Sequence, residues 1–212
     1  IPGVSVSLYT AEGSLVGSAA TDVQGAYSFE NIMPGSYFLV FSEPAGYTFS
    51  PQNPSVGANL DSDADPASGK SAGFTLGAGQ QDASHDAGMF RLASLGDRVW
   101  EDKNNNGIQD LRERGIKSIQ ISLYTPDGTL VASTFTDRDG NYKFENLLPG
   151  SYYLLFALPR GFQFCPINQS LDPSMDSDVD LTGRTRIFTL LSGLQDVTWD
   201  AGVIRAKVTK TR

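Results

Sequence analysis

The sequence has little of what many enzymes and disulfide-bonded domains depend on. It contains one cysteine, Cys165, and one histidine, His85. A single cysteine excludes an internal disulfide, and so few soft ligands exclude the usual structural zinc sets. The sequence also shows no Ser-His-Asp or Cys-His arrangement and no glycine loop that could cradle a phosphate. We therefore expect a protein that is not an enzyme.

Basic charge and long apolar runs are also scarce. The chain has 16 lysines and arginines against 24 aspartates and glutamates, a net charge of -8 and a sequence pI of about 4.6. This balance argues against a nucleic acid or an anionic membrane as partner and favours cations. No run approaches the roughly 18 apolar residues of a membrane span, and the start does not resemble a signal peptide. We expect a soluble internal piece of a longer chain, with no membrane insertion in this segment.

What the chain does contain is an internal repeat. Residues 1–65 align without a gap on residues 116–180, and about half of the aligned positions are identical. The repeat predicts two domains, because each copy with its flanks reaches the size of a small domain. We place the first repeat at 1–92, without an N-terminal strand and calcium loop of its own, the complete second repeat at 93–205, and a basic tail or linker at 206–212.

The local pattern is almost wholly that of β-strands. Short runs rich in Val, Ile, Tyr, Phe and Thr alternate apolar with polar residues, and turn residues separate them. Many short strands of this kind indicate a β-sandwich or a barrel, and no helix of useful length is predicted. The predicted strands are 4–10, 15–21, 27–29, 36–41, 72–76 and 82–88 in the first copy, and 119–125, 130–136, 142–144, 151–158, 184–190 and 196–203 in the second.

Alternation also predicts which side chains face the core of a sandwich. Two packed sheets in the second copy would place six side chains inward: Ile119, Ile121, Leu123, Tyr152, Leu154 and Phe156. The connection between the copies, 86–97, is short and carries no Ser-rich run. We therefore expect a stiff end-to-end pair of domains.

A calcium-type loop lies directly before the second copy. Residues 102–113 match the twelve-residue pattern D-x-[DN]-x-[DN]-G-x5-E, in which Gly107 makes the sharp turn. The pattern assigns these ligands: the side chains of Asp102, Asn104, Asn106, Asp110 and Glu113, and the backbone carbonyl of Ile108. Two asparagines replace carboxylates, so we expect a weak, extracellular type of affinity, with Kd on the order of 10⁻⁵ to 10⁻³ M. The alternative is a polar hairpin whose Asn-Gly step only makes a turn.

A second acidic pattern occurs in both copies. The first copy carries Asp61, Asp63 and Asp65, and the second carries Asp176, Asp178 and Asp180 at the aligned positions. Alternate carboxylates on an extended segment project to one side, where they repel unless they are solvated or share a cation. Both readings stay open. In the metal reading the site is closed by Asp86 in the first copy and Asp200 in the second, or by Asp22 and Asp137 from neighbouring turns.

Ordered motifs occur at 96–102, the Asn-Gly loop, 136–137, 140–142, 144–147, 149–152, 176–180 and 200–202. Together they resemble the B repeats of serine-aspartate repeat adhesins of bacteria, which are SdrD B-like and Cna-B-type domains. The resemblance covers 96–204 completely and 1–90 as a copy without its first strand and loop. It implies two tandem Greek-key β-sandwiches of the prealbumin-like, Cna-B type, repeated as a calcium-stiffened stalk.

The chain departs from one property of that class. Many Cna-B-type domains form a Lys-to-Asn isopeptide bond that needs a buried acidic catalyst, and the corresponding positions here are Phe41 and Phe156. Glu43 lies two residues further on, with Leu158 as its counterpart. We therefore predict no isopeptide bond, which leaves metal as the expected cross-link.

Two functions outside catalysis remain. The first is a calcium-stabilised spacer of a secreted or bacterial cell-surface adhesin, whose partners are neighbouring repeats of the same polypeptide and, through other domains, a host or matrix ligand. The alternative is a binding module for glycan or extracellular-matrix protein, which would use exposed aromatic side chains. Its candidates are Tyr47, Phe162, Trp100 and Trp199.

Overall fold

The computed structural model describes residues 1–52 and 61–206. Within these ranges the chain is all-β, as predicted, and it contains no helix that could cross a membrane. The chain divides into two compact units, which we call unit 1, Ile1–Arg91, and unit 2, which begins at Leu92. Of the predicted tail, 206–212, all but Ala206 lies outside the described residues.

Unit 1 has one full sheet and one small one. The strands of the full sheet run in the order β2-β1-β3-β5, and all its pairs are antiparallel. The small sheet pairs β4 with β6. The strands are β1 (Ser5–Thr10), β2 (Leu15–Ala20), β3 (Gly35–Phe41), β4 (Thr48–Phe49), β5 (Phe74–Leu76) and β6 (Met89–Phe90).

Unit 2 has two full sheets. One runs β13-β11-β8-β9, and the other runs β10-β7-β15-β12 with β14 as an additional partner of β7. Strand β7 is central, because it pairs antiparallel with β10 and parallel with both β15 and β14. The strands are β7 (Ala93–Glu101), β8 (Gln120–Tyr124), β9 (Leu130–Phe135), β10 (Asn141–Leu147), β11 (Gly150–Phe156), β12 (Phe162–Phe164), β13 (Phe188–Leu190), β14 (Gln195–Asp196) and β15 (Ala201–Arg205).

The core of unit 2 lies between these two sheets, so the unit is a β-sandwich. The two predicted inward rows are confirmed, since all six residues, in β8 and β11 or, for Ile119, directly before β8, are at most 7% exposed. Leu95 and Val99 of β7 meet them from the opposite sheet. Full burial of one such side chain stabilises a fold by about 1.5–3 kcal/mol. Phe41 and Phe156 are buried in the cores of unit 1 and unit 2.

Three strand predictions are wrong in detail. Residues 27–29 and 82–88 of unit 1 are not in strands, and 196–203 of unit 2 is divided between β14 and β15. The short strands β4 and β12 were not predicted at all. Strand formation at these places depends on pairing with a neighbour, which alternation within a single segment does not reveal.

Candidate metal centre

The Asp102–Glu113 loop is closed by its two end carboxylates. Asp102 follows β7 and is 2% exposed; its Oδ1 accepts from the Asn105 N–H at 2.6 Å and its Oδ2 from the Gly107 N–H at 2.8 Å. Glu113 is also buried; its Oε1 accepts from the Lys103 N–H at 2.7 Å and its Oε2 from the Asp110 N–H at 3.1 Å. Backbone donors therefore hold both acids inside the loop.

The remaining side chains of the loop converge on Asp110. Its Oδ2 accepts from the side-chain amides of Asn104, at 2.8 Å, and Asn106, at 3.1 Å. The oxygens of the same two amides accept backbone N–H groups of the loop. This donor set consists of hard oxygens, which suits calcium better than a softer metal. Among the described residues no three Asp, Glu, His or Cys side chains stand close enough together to form a ready metal site.

The turn of the loop is seated against a neighbouring segment of unit 2. Gly107 has a φ of +73°, and a Cβ at this position would lie 2.3 Å from the Pro166 carbonyl oxygen. Ile108 then forms an antiparallel bridge with Asp176, and the Gln109 N–H donates to the Met175 carbonyl at 2.7 Å. The fold thus places the calcium-type loop beside the acidic run, although the two lie far apart in sequence.

A second carboxylate cluster forms where β7 lies beside β15. The Asp200 N–H donates to Asp178 Oδ2 at 2.9 Å, and the Asp178 N–H donates back to the Asp200 carbonyl at 3.0 Å. Asp200 is fully buried; its Oδ1 accepts from the Arg98 N–H at 3.1 Å, while its Oδ2 has no hydrogen-bond partner. We call Asp97, Asp178 and Asp200 the β7–β15 cluster.

The electrostatics of the β7–β15 cluster are unfavourable without a cation or bound protons. Burial, with a smaller contribution from the nearby Asp176 carboxylate, raises the pKa of Asp178 to about 7. Burial is also the largest cause of the raised pKa values of Asp97 and Asp200, and the Asp97 charge adds to the rise at Asp200. Negative charge held in a low dielectric is costly unless it is paired.

Asp97 and Arg98 are the candidate site residues that sequence reasoning missed. Neither belongs to a repeated acidic motif, and their position beside Asp200 depends on the parallel pairing of β7 with β15. The Arg98 guanidinium donates to the Gln109 side chain at 2.5 Å and to the Glu113 carbonyl at 3.1 Å. Arg98 therefore connects the calcium-type loop to the β7–β15 cluster. Two signals in the sequence pointed to them: both residues lie directly before the loop, and both belong to the motif at 96–102.

The structure does not bring the three aspartates of either acidic run together. Asp176 is buried and accepts from the Ser170 N–H at 2.9 Å. Asp180 is exposed and caps a turn by accepting from the Thr182 and Arg184 N–H groups, which lower its pKa together with the Thr182 hydroxyl. Asp65 caps the matching turn of unit 1.

Unit 1 keeps counterparts of two of the three members of the β7–β15 cluster, namely Asp63 for Asp178 and Asp86 for Asp200. Asp63 Oδ2 accepts from the Asp86 N–H at 2.8 Å, as Asp178 does from Asp200. Burial and the charges of Asp63 and Asp61 raise the pKa of Asp86, and Asp61 has one buried oxygen without a partner. No described residue of unit 1 takes the place of Asp97.

Two other predicted metal ligands have structural roles. Asp22 Oδ1 accepts from the Gln24 and Ala26 N–H groups, and Asp137 Oδ1 accepts from the Asp139 and Asn141 N–H groups. Each acid therefore closes its own turn, which explains why the aspartate occurs in both copies.

The aromatic side chains of the binding-module alternative are largely covered. Trp100 and Trp199 are buried, Phe162 is half-buried, and Tyr47 is half-buried with the Arg91 guanidinium 4.6 Å from its ring. The binding-module alternative needs exposed aromatic side chains, and the two tryptophans do not meet this condition because they pack within unit 2. A cavity of about 440 Å³ does lie beside Asp178, lined in part by Arg184 and Arg186.

The chain matches a known protein family over most of its length. The model of the SdrD B-like domain matches residues 1–89 and, a second time, residues 93–203. The chain belongs to the SdrD B-like domain family. The resemblance read from the motifs is confirmed, and the two matches correspond to the two SdrD B-like repeats.

The relatives of this SdrD B-like chain include much longer proteins. Serine-aspartate repeat-containing protein F of Staphylococcus epidermidis (strain ATCC 12228) is 34% identical over 180 residues, which cover 84% of this chain and 11% of that protein. Serine-aspartate repeat-containing protein E of Staphylococcus aureus (strain N315) is 33% identical over 207 residues, or 95% of this chain and 17% of that protein. The chain thus spans less than a fifth of either relative.

Solved structures give more distant likenesses. The minor pilin GBS52 of Streptococcus agalactiae aligns over 100% of this chain and 87% of its own, with 16% identity and a TM-score of 0.40. The shaft pilin SpaA of Lactobacillus rhamnosus GG aligns over 98% of this chain and 89% of its own, with 10% identity and a TM-score of 0.37.

Proposed function

We propose that the two SdrD B-like repeats are a calcium-stabilised spacer of a secreted or cell-surface adhesin-like protein. One observation carries the calcium part of this proposal: Asp200 is fully buried, has an oxygen without a hydrogen-bond partner, and lies beside the carboxyls of Asp97 and Asp178. A divalent cation is the simplest group that would offset this charge.

Two sites in unit 2 would hold calcium. The first is the loop, with the side chains of Asp102, Asn104, Asn106, Asp110 and Glu113 and the carbonyl of Ile108 as ligands. The second is the β7–β15 cluster. Both sites involve β7: Asp97 lies within that strand, and Asp102 directly follows it. Bound calcium would therefore fix the central strand of the second sheet to the loop and to β15.

The energetic effect would be large for a domain of this size. A ligand that binds only the folded state stabilises it by RT ln(1 + [L]/Kd), or about 2.7 kcal/mol at a hundredfold excess over Kd. Domains of this kind have about 5–15 kcal/mol of stability in total. Calcium occupancy would thus decide whether unit 2 is rigid under load, and rigidity is the property that a spacer needs.

The experiment is a calcium titration by calorimetry on the whole chain after removal of metal with a chelator. We expect saturable binding of about two calcium ions per chain, with Kd in the weak, extracellular range. Glu113→Gln should remove one binding event and Asp97→Asn the other, while Asp127→Asn, an exposed turn residue of the same unit, should change neither. Absence of calcium binding by the parent chain would refute the proposal.

The spacer role itself needs a separate test, because calcium binding alone does not distinguish a spacer from a binding module. The isolated pair of repeats should show no saturable binding to polysaccharides or matrix proteins. Specific binding that is lost when Arg184 or Arg186, beside the 440 Å³ cavity, is replaced by alanine would favour the alternative module for glycan or matrix protein. As a spacer, the chain would have neighbouring repeats as its partners and no enzymatic activity.

A further inference from the structure

The turn of the Asp102–Glu113 loop contains the one Asn-Gly step of the sequence, Asn106-Gly107. In such a pair the backbone nitrogen of the glycine reaches the side-chain amide of the asparagine most easily, because glycine has no Cβ to hinder the approach. Attack by that nitrogen closes a succinimide ring and releases ammonia. Asn106 is half-buried and Gly107 is buried, so the surrounding loop decides whether this reaction is slowed or assisted.

A carboxylate lies at the nitrogen that would attack. The Gly107 N–H donates to Asp102 Oδ2 at 2.8 Å, and Asp102 is 2% exposed. A carboxylate within hydrogen-bond distance of the proton to be removed has the geometry of a general base. The other oxygen of Asp102 accepts from the Asn105 N–H at 2.6 Å, which holds the carboxylate in this orientation.

The side chain that would be attacked is held in place as well. Asn106 Oδ1 accepts from the Ile108 N–H at 2.9 Å, so the side chain folds back over its own following peptide bond. An N–H donor at this oxygen stabilises the negative charge that develops there during attack, as in an oxyanion hole. Asn106 Nδ2, the atom that would leave as ammonia, donates to Asp110 Oδ2 at 3.1 Å. The attacking nitrogen, the attacked carbonyl and the leaving group therefore each have a fixed partner.

A similar turn elsewhere in unit 2 has a different group at its glycine nitrogen. At Asp127-Gly128 the Thr129 N–H donates to Asp127 Oδ1 at 3.3 Å, which matches the side-chain bond of the loop. Both glycines have a positive φ, 73° for Gly107 and 89° for Gly128. The Gly128 N–H, however, donates to the Thr125 carbonyl at 2.9 Å, and a backbone carbonyl is too weak a base to take up the proton. The exposed Asp127 turn is therefore a natural control for the loop.

We propose that Asn106 is a self-modification site, at which the loop converts the asparagine to an aspartyl residue. Asp102 takes the proton from the Gly107 nitrogen, this nitrogen bonds to Cγ of Asn106, and the bond from Cγ to Nδ2 breaks. Nδ2 leaves as ammonia with that proton. Water then opens the succinimide at one of its two carbonyls, which leaves an aspartyl or an isoaspartyl residue at position 106.

The conversion would change how the loop meets a cation. In the aspartyl form, an amide that donates to Asp110 becomes a second carboxylate beside it. The metal-free loop then gains repulsion, and a bound cation gains a charged ligand. This consequence for calcium rests on the proposed function, whereas the conversion itself does not. The loop would depend more strongly on calcium as the protein ages.

The test follows the peptide that contains position 106 while the whole chain is incubated at neutral pH in chelator. Mass spectrometry resolves the exchange of –NH2 for –OH, and electron-based fragmentation separates the two isomers. The matched control is Asp127→Asn, which creates a second Asn-Gly step in the same unit. In this variant position 106 should convert about a hundredfold faster than position 127. Equal rates, or faster conversion at position 127, would overturn the proposal.

A second arm tests Asp102 as the base. Asp102→Asn should slow conversion at position 106 by about a hundredfold in the folded chain. In guanidinium, where the loop is unfolded, this variant and the parent should convert at the same rate, and the folded parent should be faster than either. The comparison of folded with unfolded parent decides the matter if Asp102→Asn does not fold. Conversion that is no faster in the folded parent would contradict a role for the loop.

Calorimetry tests the consequence for calcium separately. Asn106→Asp installs the aspartyl form directly and should bind calcium at the loop about tenfold more tightly than the parent chain does. An unchanged Kd would remove this consequence and leave the conversion standing. Failure of both chains to bind calcium would instead refute the proposed function, because the conversion is measured in chelator.

Discussion

Units 1 and 2 share a sequence pattern and one complete sheet, yet they differ in the second sheet. Leu39 of unit 1 and Leu154 of unit 2, at aligned positions in the complete sheets, are both buried, whereas Phe29 is half-buried and Phe144 is buried. Burial of an aromatic residue in these repeats therefore depends more on whether a neighbouring strand covers it than on the type of the residue.

Matched alanine substitutions should give the largest contrast. Phe144→Ala removes a side chain covered by β7 and should lower the free energy of unfolding of unit 2 by about 3–5 kcal/mol. Phe29→Ala should cost unit 1 less than half of that, because part of the side chain is already in water. Urea unfolding, followed by amide exchange for each unit, measures both. Leu39→Ala and Leu154→Ala are the controls, and they should lower the free energy of unfolding of their units by similar amounts. Equal losses for the two phenylalanine substitutions would contradict this expectation.

The buried acids should give the next largest contrast. In chelator, Asp200→Asn should raise the free energy of unfolding of unit 2 by about 1–3 kcal/mol, because it removes a buried carboxyl with an unpaired oxygen. The same substitution should weaken calcium binding. Asp86→Asn in unit 1 should have a smaller effect on stability, since Asp86 is only half-buried. Thermal unfolding with and without calcium tests this, and a loss of stability in chelator for Asp200→Asn would contradict it.

The pH dependence of metal-free unit 2 should follow Asp178. Its folded pKa of about 7 lies above the unfolded value of about 4, so the folded state binds more protons between these values. Stability is therefore present at low pH within this window and is lost as pH rises through 7, by about 2 kcal/mol between pH 5.5 and 7.5. Urea unfolding in chelator across this range measures the slope. Asp178→Asn should reduce the slope and leave the part that comes from Asp97, whose pKa burial also raises. A slope of opposite sign in the parent chain would refute the assignment.

The smallest effect should come from the two turns that cap the acidic runs. Asp180→Ala and Asp65→Ala each remove an exposed acceptor of backbone N–H groups. Because the two turns are alike, the losses of stability should be small and equal in the two units, and calcium affinity should not change. A calcium titration of Asp180→Ala alongside the parent chain checks this, and weakened binding would return Asp180 to the metal site.

Local pattern was sufficient to predict the all-β fold, the inward rows of β8 and β11, and the twelve-residue loop from Asp102 to Glu113. Each of these rests on residues close together in sequence, where alternation or fixed spacing expresses the geometry directly. The family resemblance added the sandwich type.

The missed features depend on contacts between distant segments. Asp97 joins Asp200 only because β7 and β15 pair in parallel, and the loop meets Asp176 only through the bridge at Ile108. For the same reason the spacing of Asp176, Asp178 and Asp180 left a shared metal site open as one of two readings, although each aspartate has a different partner in the fold. Pairing of this kind is set by the whole sandwich and leaves little trace in a short window of sequence.

If the account is right, calcium stabilises unit 2 through sites in and next to β7 and leaves the full sheet of unit 1 unchanged. Amide exchange of the whole chain, measured by mass spectrometry in saturating calcium and in chelator, tests it most directly. At a hundredfold excess over Kd we predict exchange about a hundredfold slower along β7, β15 and residues 102–113, and no change along β1 and β3. Equal exchange of unit 2 in the two conditions would contradict the account.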